Sequence, residues 1–147
     1  MSAPATHRTE LTVRGYEIDA LGHVRHTVYL DYAEHARWEA LAAAGLSAPT
    51  LLQHAIMPIM LETTISYRRE LRYDDVVAVG CEFEWGTGKT ARITQPLTRV
   101  EDGTVAAEVR SVSGLLDLTT RTLVADPLDR LCALATDPEV LGLGRVA

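Results

Sequence analysis

The run Tyr16-Glu17-Ile18-Asp19-Ala20-Leu21-Gly22-His23-Val24-Arg25-His26 holds most of the chemistry this chain offers, and a helical pattern begins directly behind it. A helix N-terminus presents unpaired backbone N–H groups and the positive end of a dipole. Such a tip binds anions and stabilises a developing oxyanion. Gly22 lets the backbone come close to a ligand. Asp19 places a carboxylate a few residues upstream. A carboxylate beside an oxyanion site is the minimum equipment for hydrolysing an activated acyl group. The carboxylate either draws a proton from water or attacks the carbonyl itself, and the residue pattern leaves both routes open.

Other groups in this run carry weaker signals. His23 reads as a turn residue that ties backbone groups together. His26 offers its backbone amide to the oxyanion site more than its imidazole. Asp19, His23 and His26 have metal-ligand chemistry, but D-x₃-H-x₂-H is not a zinc spacing, so no metal is expected. Glu17 lies two positions from Asp19 and could form an acid/base couple with it, although a solvated side chain is the plainer reading. Glu34 and Arg37 stand at i and i+3, as in a helix ion pair. Arg68, Arg69 and Arg72 form the densest basic cluster and could meet the phosphates of a nucleotide-bearing thiol or the acidic face of a carrier protein. Tyr29, Tyr32 and Trp85 read as core before pocket lining.

These groups need a frame. From Val28 to Ala44, Tyr29, Tyr32, Ala33, Ala36, Ala40 and Ala43 recur at three and four, one face of a helix roughly 25 Å long. Thr27 suits its N-cap, and Gly45 its C-terminal stop. Leu30, Trp38 and Leu41 lie off the stripe, so other structure should wrap the helix. Before it, Glu10 to Tyr16 alternates as a short strand. After Pro49 the period becomes two. Ile59, Leu61, Thr63, Ile65 and Tyr67 form one face of a strand, and Val77, Val79, Cys81, Phe83 and Trp85 one face of the next. Lys89 to Val100 is a third strand, where Pro96 implies a bulge or an edge position. Asp102-Gly103 turns the chain into the longest strand, Val105 to Leu118. Asp126-Pro127 opens a short helix reaching about Ala135. The chain is read as one domain, 1–147, with 1–9 a loose arm and 136–147 a tail. The order predicts an α+β fold: an antiparallel sheet of about five strands around one long helix, with a short C-terminal helix. A half-covered single sheet predicts dimerisation.

Composition removes several function classes. The 147 residues carry 14 Lys+Arg against 20 Asp+Glu, a net charge of −6, which argues against nucleic acid as a partner. No apolar run is long enough for a membrane-spanning helix, and the first ten residues show no secretion signal. Two separate cysteines suit a cytoplasmic setting, with Cys81 a buried, inert thiol. GxSxG, the P-loop and GxGxxG are all absent.

The segment Asp19-x-x-Gly22-His23-Val24-x-His26-x-x-Tyr29-x-x-Tyr32-x-Glu34-x-Ala36-Arg37 resembles the signature of the hot-dog-fold acyl-CoA thioesterases, particularly the 4-hydroxybenzoyl-CoA thioesterase-like branch. Tyr67-Arg68-Arg69-Glu70-Leu71-Arg72-Tyr73-Asp74-Asp75 resembles that branch's link between its second and third strands, and the likeness spans Leu11 to Leu118. Arg25-His26 stands where many relatives have Asn-Asn, and Glu70 where proline is common. The resemblance implies the hot-dog fold and hydrolysis of an acyl-CoA or acyl-carrier-protein thioester. Asp19 matches the catalytic carboxylate, His26 the position whose N–H meets the thioester oxygen, and Tyr29 an aromatic early in the helix. Gly22, His23, Val24, Arg25, Tyr29, Arg68, Arg69 and Arg72 are the expected substrate contacts. No cofactor is implied beyond the coenzyme A or phosphopantetheine of the substrate. A homodimer, and a homotetramer built from it, is implied, with the active site where two sheets join edge to edge. The alternatives are a hydratase or dehydratase acting on an acyl thioester, and a non-catalytic acyl-thioester binder.

Overall fold

The computed structural model describes residues 6–143. Six strands, β1 (Thr6–Thr12), β2 (Ile56–Tyr67), β3 (Val76–Trp85), β4 (Thr90–Arg99), β5 (Thr104–Asp117) and the short β6 (Thr122–Leu123), build one antiparallel sheet in the order β1-β3-β4-β5-β2, with β6 on β5. Helix α1 (Val28–Ala43) lies on the concave face. Two shorter helices, α2 (Ala48–Gln53) and α3 (Pro127–Leu134), complete the architecture. This is the α+β arrangement the pattern predicts.

Helix α1 forms where its periodic face predicts. Tyr32, Ala33, Ala36 and Ala40 are buried against the sheet, and the alanines let the helix approach closely. Gly45 ends it with φ +83°, and the Leu46 N–H reaches back to the Leu41 carbonyl at 2.8 Å, a Schellman closure. Thr27 does not cap. Its own backbone is already helical (φ −74°, ψ −26°), and its side chain makes no capping bond. Helix α2 has no clear period in six residues. Its signal was Ser47 in an extended conformation followed by Pro49 in the first turn.

Strand β1 begins earlier than its hydrophobic pattern does. Residues 6–9, expected in a loose arm, pair with Val79–Glu82 of β3, because the ladder is satisfied by backbone whatever the side chains. Residues 1–5 of that arm lie outside the described residues. The expected tail is packed as far as Leu143. Pro138–Leu141 forms a 3-10 turn, Leu141 and Leu143 are buried, and Trp85 donates its indole N–H to the Leu141 carbonyl at 2.8 Å. Residues 144–147 lie outside the described residues.

Pro96 sits in the central strand β4, not at an edge. The ladder to β3 lapses opposite it and the register to β5 shifts at Leu97/Thr98, the bulge alternative. In β2 a register shift between Met60 and Glu62 changes which residues face inward. Pro58 and Met60 line the concave side before the shift and Ile65 packs on the core after it, while Leu61 is exposed. The single alternation expected from Ile59 to Tyr67 is therefore broken by one inserted residue.

Candidate active site

The predicted loop is a tight hairpin. Ile18 and Val24 form an antiparallel bridge, the Asp19 N–H donates to the His23 carbonyl at 2.8 Å, and the Gly22 N–H donates to the Asp19 carbonyl at 3.0 Å. Gly22 adopts φ +79° with nothing within 4 Å of a β-carbon placed there. The turn itself demands glycine here, not close contact inside the chain. Asp19 Oδ1 accepts the N–H groups of Leu21 (2.9 Å) and His23 (3.1 Å), while Oδ2 has no partner among the described residues. The carboxylate is thus oriented through one oxygen and open through the other.

The hairpin is bolted to α1 and to the link after β2. The Val24 N–H donates to the Leu71 carbonyl (2.8 Å), the Arg25 N–H to the Glu17 carbonyl (2.9 Å), and the Val28 N–H to the Arg25 carbonyl (2.9 Å). The amides of Val24 and Arg25 are therefore consumed by the fold. The N–H groups of His26, Thr27 and Tyr29 have no acceptor among the described residues, and those of His26 and Thr27 follow directly on the hairpin. The imidazole of His26 is exposed and likewise unbonded, so its amide is the group positioned for use.

Glu17 departs from the solvated reading. It is 7% exposed, and its Oε1 accepts the Arg14 N–H (2.8 Å) and the Tyr32 hydroxyl (2.7 Å). It faces inward as a brace, so it makes no acid/base couple at the solvent side of the loop. Burial, and then this carboxylate, push the Tyr32 phenol strongly upward. Tyr29 is buried as well. Burial raises its phenol, the Leu71 N–H bond opposes this, and the charges of Tyr67, Glu70 and Asp19 add smaller increments.

The other expected contacts divide. Arg68 and Arg69 are exposed, with no carboxylate partner among the described residues; the Arg69 guanidinium bonds only the Arg68 carbonyl. Arg72 is paired with Glu70 at 3.1 Å, and the Glu70 carboxyl is held low first by its own backbone N–H and then by Arg72. Arg25 turns to the Tyr16 carbonyl at 2.7 Å. Arg37 does not pair with Glu34. Its Nη1 donates to Gln95 Oε1 at 3.0 Å, and Gln95 in turn donates to the Ala33 carbonyl at 2.8 Å and Cys81 Sγ at 3.1 Å. Cys81 is fully buried, and that burial pushes its thiol up to about 12.

A largely apolar cavity of about 250 Å³ lies between the second half of α1 and the concave sheet. Trp38, Leu41, Met60, Phe83 and Trp85 form much of its wall, with Arg37 among them. None of the substrate contacts expected from sequence lines it. Its walls come from α1, α3, strands β2 to β5 and the Pro138–Leu141 turn, so no local motif announces it. Of its lining, the sequence singles out Trp85 as core before pocket, and Glu34 and Arg37 as a helix ion pair.

A family model described as the thioesterase-like superfamily matches residues 13–141. The long-chain acyl-CoA thioesterase FadM of Escherichia coli is 29% identical over 118 residues, covering 80% of this chain and 89% of that protein. The chloroplastic acyl-acyl carrier protein thioesterase ATL3 of Arabidopsis thaliana is 33% identical over 73 residues, half of this chain and 38% of that one. Among solved structures, the probable thioesterase YbaW of Escherichia coli superposes with a TM-score of 0.73 at 28% identity, over 80% of this chain and 88% of its own.

Proposed function

The chain belongs to the thioesterase-like superfamily, and on that premise we propose how it hydrolyses an acyl thioester. Asp19 is the general base. Its Oδ2 takes a proton from water as the water oxygen bonds to the acyl carbon. The carbonyl oxygen becomes an oxyanion and is held by the N–H of His26, with that of Thr27 beside it. The intermediate collapses, the C–S bond breaks, and the proton passes from Asp19 to the departing sulfur. The products are a free acid and a free thiol. Every step uses groups of this chain and water; coenzyme A or phosphopantetheine enters only as part of the substrate.

One observation carries this reading: a carboxylate with one oxygen pinned and one open shares a short, braced loop with two amides that have no acceptor. Pinning through two N–H groups favours general base over direct attack, since attack would pull the carboxylate out of its loop. A hydratase would want an imidazole poised jointly with Asp19, and the His26 ring is unbonded and exposed.

The acyl group enters the apolar cavity. A cavity of roughly 150 Å³ already accepts benzene, so about 250 Å³ takes a ring or a medium chain, and the likeness to FadM supports a fatty acyl group. The carrier is coenzyme A, with Arg68 and Arg69 free to meet its phosphates; the ATL3 likeness keeps an acyl carrier protein as the second carrier. Two free cysteines support a reducing, cytoplasmic setting. The working unit is a homodimer, from which a homotetramer can be built. Strand β2 is twelve residues long and pairs on one side only. Antiparallel pairing of two copies would set one copy's Tyr67 end, tied to its catalytic loop, against the other's Pro58 and Met60 at the cavity wall.

The test is Asp19→Asn. Asparagine retains the Oδ1 that accepts the Leu21 and His23 amides, so the loop stays and the base goes. Turnover should fall by roughly 10²–10⁴-fold on a good acyl-CoA, read by free-thiol release. A variant within about threefold of the parent would rule out the mechanism.

A further inference from the structure

The Tyr67 hydroxyl donates to the His26 carbonyl at 2.6 Å, across 41 residues of sequence. That carbonyl is available because the Leu30 N–H goes to the Thr27 carbonyl at 3.1 Å instead. The peptide plane is rigid, so a bond that holds the His26 carbonyl also aims the Thr27 N–H on the other side of the same plane. The preceding peptide is held in the same manner, with the Arg25 carbonyl bonded to the Val28 N–H and the His26 N–H left free. Two successive peptides at the helix tip thus have their oxygens anchored and their N–H groups open. One anchor is the helix itself, and the other comes from a different element.

That second anchor is firmly set. The Tyr67 ring meets Tyr29 edge-on, with centroids 5.2 Å apart and planes at 87°. The Tyr29 hydroxyl accepts the Leu71 N–H at 3.3 Å, and the Leu71 carbonyl accepts the Val24 N–H of the catalytic hairpin. Yet Tyr67 itself is 48% exposed, so packing does not require its hydroxyl.

We infer that Tyr67 is a positioning residue for the oxyanion site, acting through the His26 carbonyl to orient and polarise the Thr27 amide donor. The inference rests on the hydrolase reading above. Accepting a hydrogen bond at the carbonyl strengthens donation by the N–H of the same peptide. Donors held before reaction stabilise charge that appears only in the transition state. Loss of the Tyr67 hydroxyl therefore weakens the transition state and spares the ground state. Since Tyr67 ends the edge strand β2, the device also ties the oxyanion site to the element that dimerisation would order.

The experiment compares the full-length parent with Tyr67→Phe, which keeps the ring and its contact with Tyr29. On a medium-chain acyl-CoA, kcat should fall by about tenfold or more while KM stays within about twofold, a smaller loss than deleting a donor outright. Binding is measured separately with two analogues. A trifluoromethyl-ketone analogue of acyl-CoA presents an oxygen-bearing tetrahedral carbon and should bind the variant about tenfold more weakly. An S-alkyl thioether of coenzyme A lacks that oxygen and should bind both proteins equally. Tyr73→Phe, an exposed tyrosine nearby, controls for loss of a phenol and should match the parent. Unchanged kcat in Tyr67→Phe, or equal weakening of both analogues, would overturn the inference. A parent that releases no thiol from any acyl-CoA would end the hydrolase reading instead, and the two analogues would still decide the role of Tyr67.

Discussion

Asp19 gives one carboxylate oxygen to its own loop and leaves the other without a partner among the described residues, the division that the proposed general base requires. The same economy governs the amides behind it. Val24 and Arg25 use their N–H groups to hold the hairpin, so the next two amides, of His26 and Thr27, are without an acceptor among the described residues. Among the arginines, pairing also decides. Arg72 is neutralised by Glu70, whereas Arg68 and Arg69 have no carboxylate partner among the described residues. Replacing Arg68 and Arg69 together by glutamine should raise KM for a CoA ester by about five- to tenfold, since charge-assisted phosphate contacts contribute about 1–1.5 kcal/mol when exposed. The Arg72→Gln change should do less, and kcat should hold in both. A KM that does not move with Arg68 and Arg69 altered would remove these side chains from the carrier site. The effect should also shrink as salt is added.

At the scale of elements, α1 is the fixed part around which the site is arranged. Its C-terminus depends on Gly45, where two constraints coincide. The backbone is left-handed at φ +83°, and a β-carbon would lie 2.1 Å from Thr136 Oγ1 in the segment after α3. Gly45→Ala should therefore cost at least about 1–2 kcal/mol and lower the melting temperature by several degrees. The carbonyl of Ala44 receives the Thr136 N–H at 2.9 Å, so the damage would spread to the C-terminal segment that closes the cavity. A melting temperature equal to the parent's would show that this junction gives way without cost. Strand β2 is the complementary case. Its bulge after Met60 turns Pro58 and Met60 toward the cavity while letting Ile65 and Tyr67 reach the helix.

At the scale of the whole molecule, the sheet is closed at neither edge by any of the described residues. β1 is short, but along the twelve residues of β2 alternate backbone groups face away from β5, with no strand partner among the described residues, beside an apolar cavity. Proteins seldom leave such an edge bare. Sedimentation at micromolar concentration should give twice the chain mass. Amide exchange should be slow along the whole of Ile56–Tyr67, including those N–H groups that face away from β5. A monomer whose outward β2 amides exchange rapidly would exclude the paired-edge assembly and leave each site to one chain.

The sequence by itself determined the long helix and the strand order, because hydrophobic period, Gly45 and Asp102-Gly103 act over a few residues. It also singled out the loop proposed here as catalytic, since a carboxylate, a glycine and a helix start stand there as one contiguous motif. The tertiary structure alone decided which groups in that motif are free. Glu17 is buried by Tyr32, the Val24 amide is taken by Leu71, Arg37 turns to Gln95, and Tyr67 reaches His26 from another strand. Residues 6–9 of the arm and 136–143 of the tail became structured in the same way, through a ladder with β3 and the burial of Leu141 and Leu143. Each of these outcomes joins residues far apart in the chain, where hydrogen-bond partners are set by what the folded backbone brings within reach rather than by neighbouring residue types.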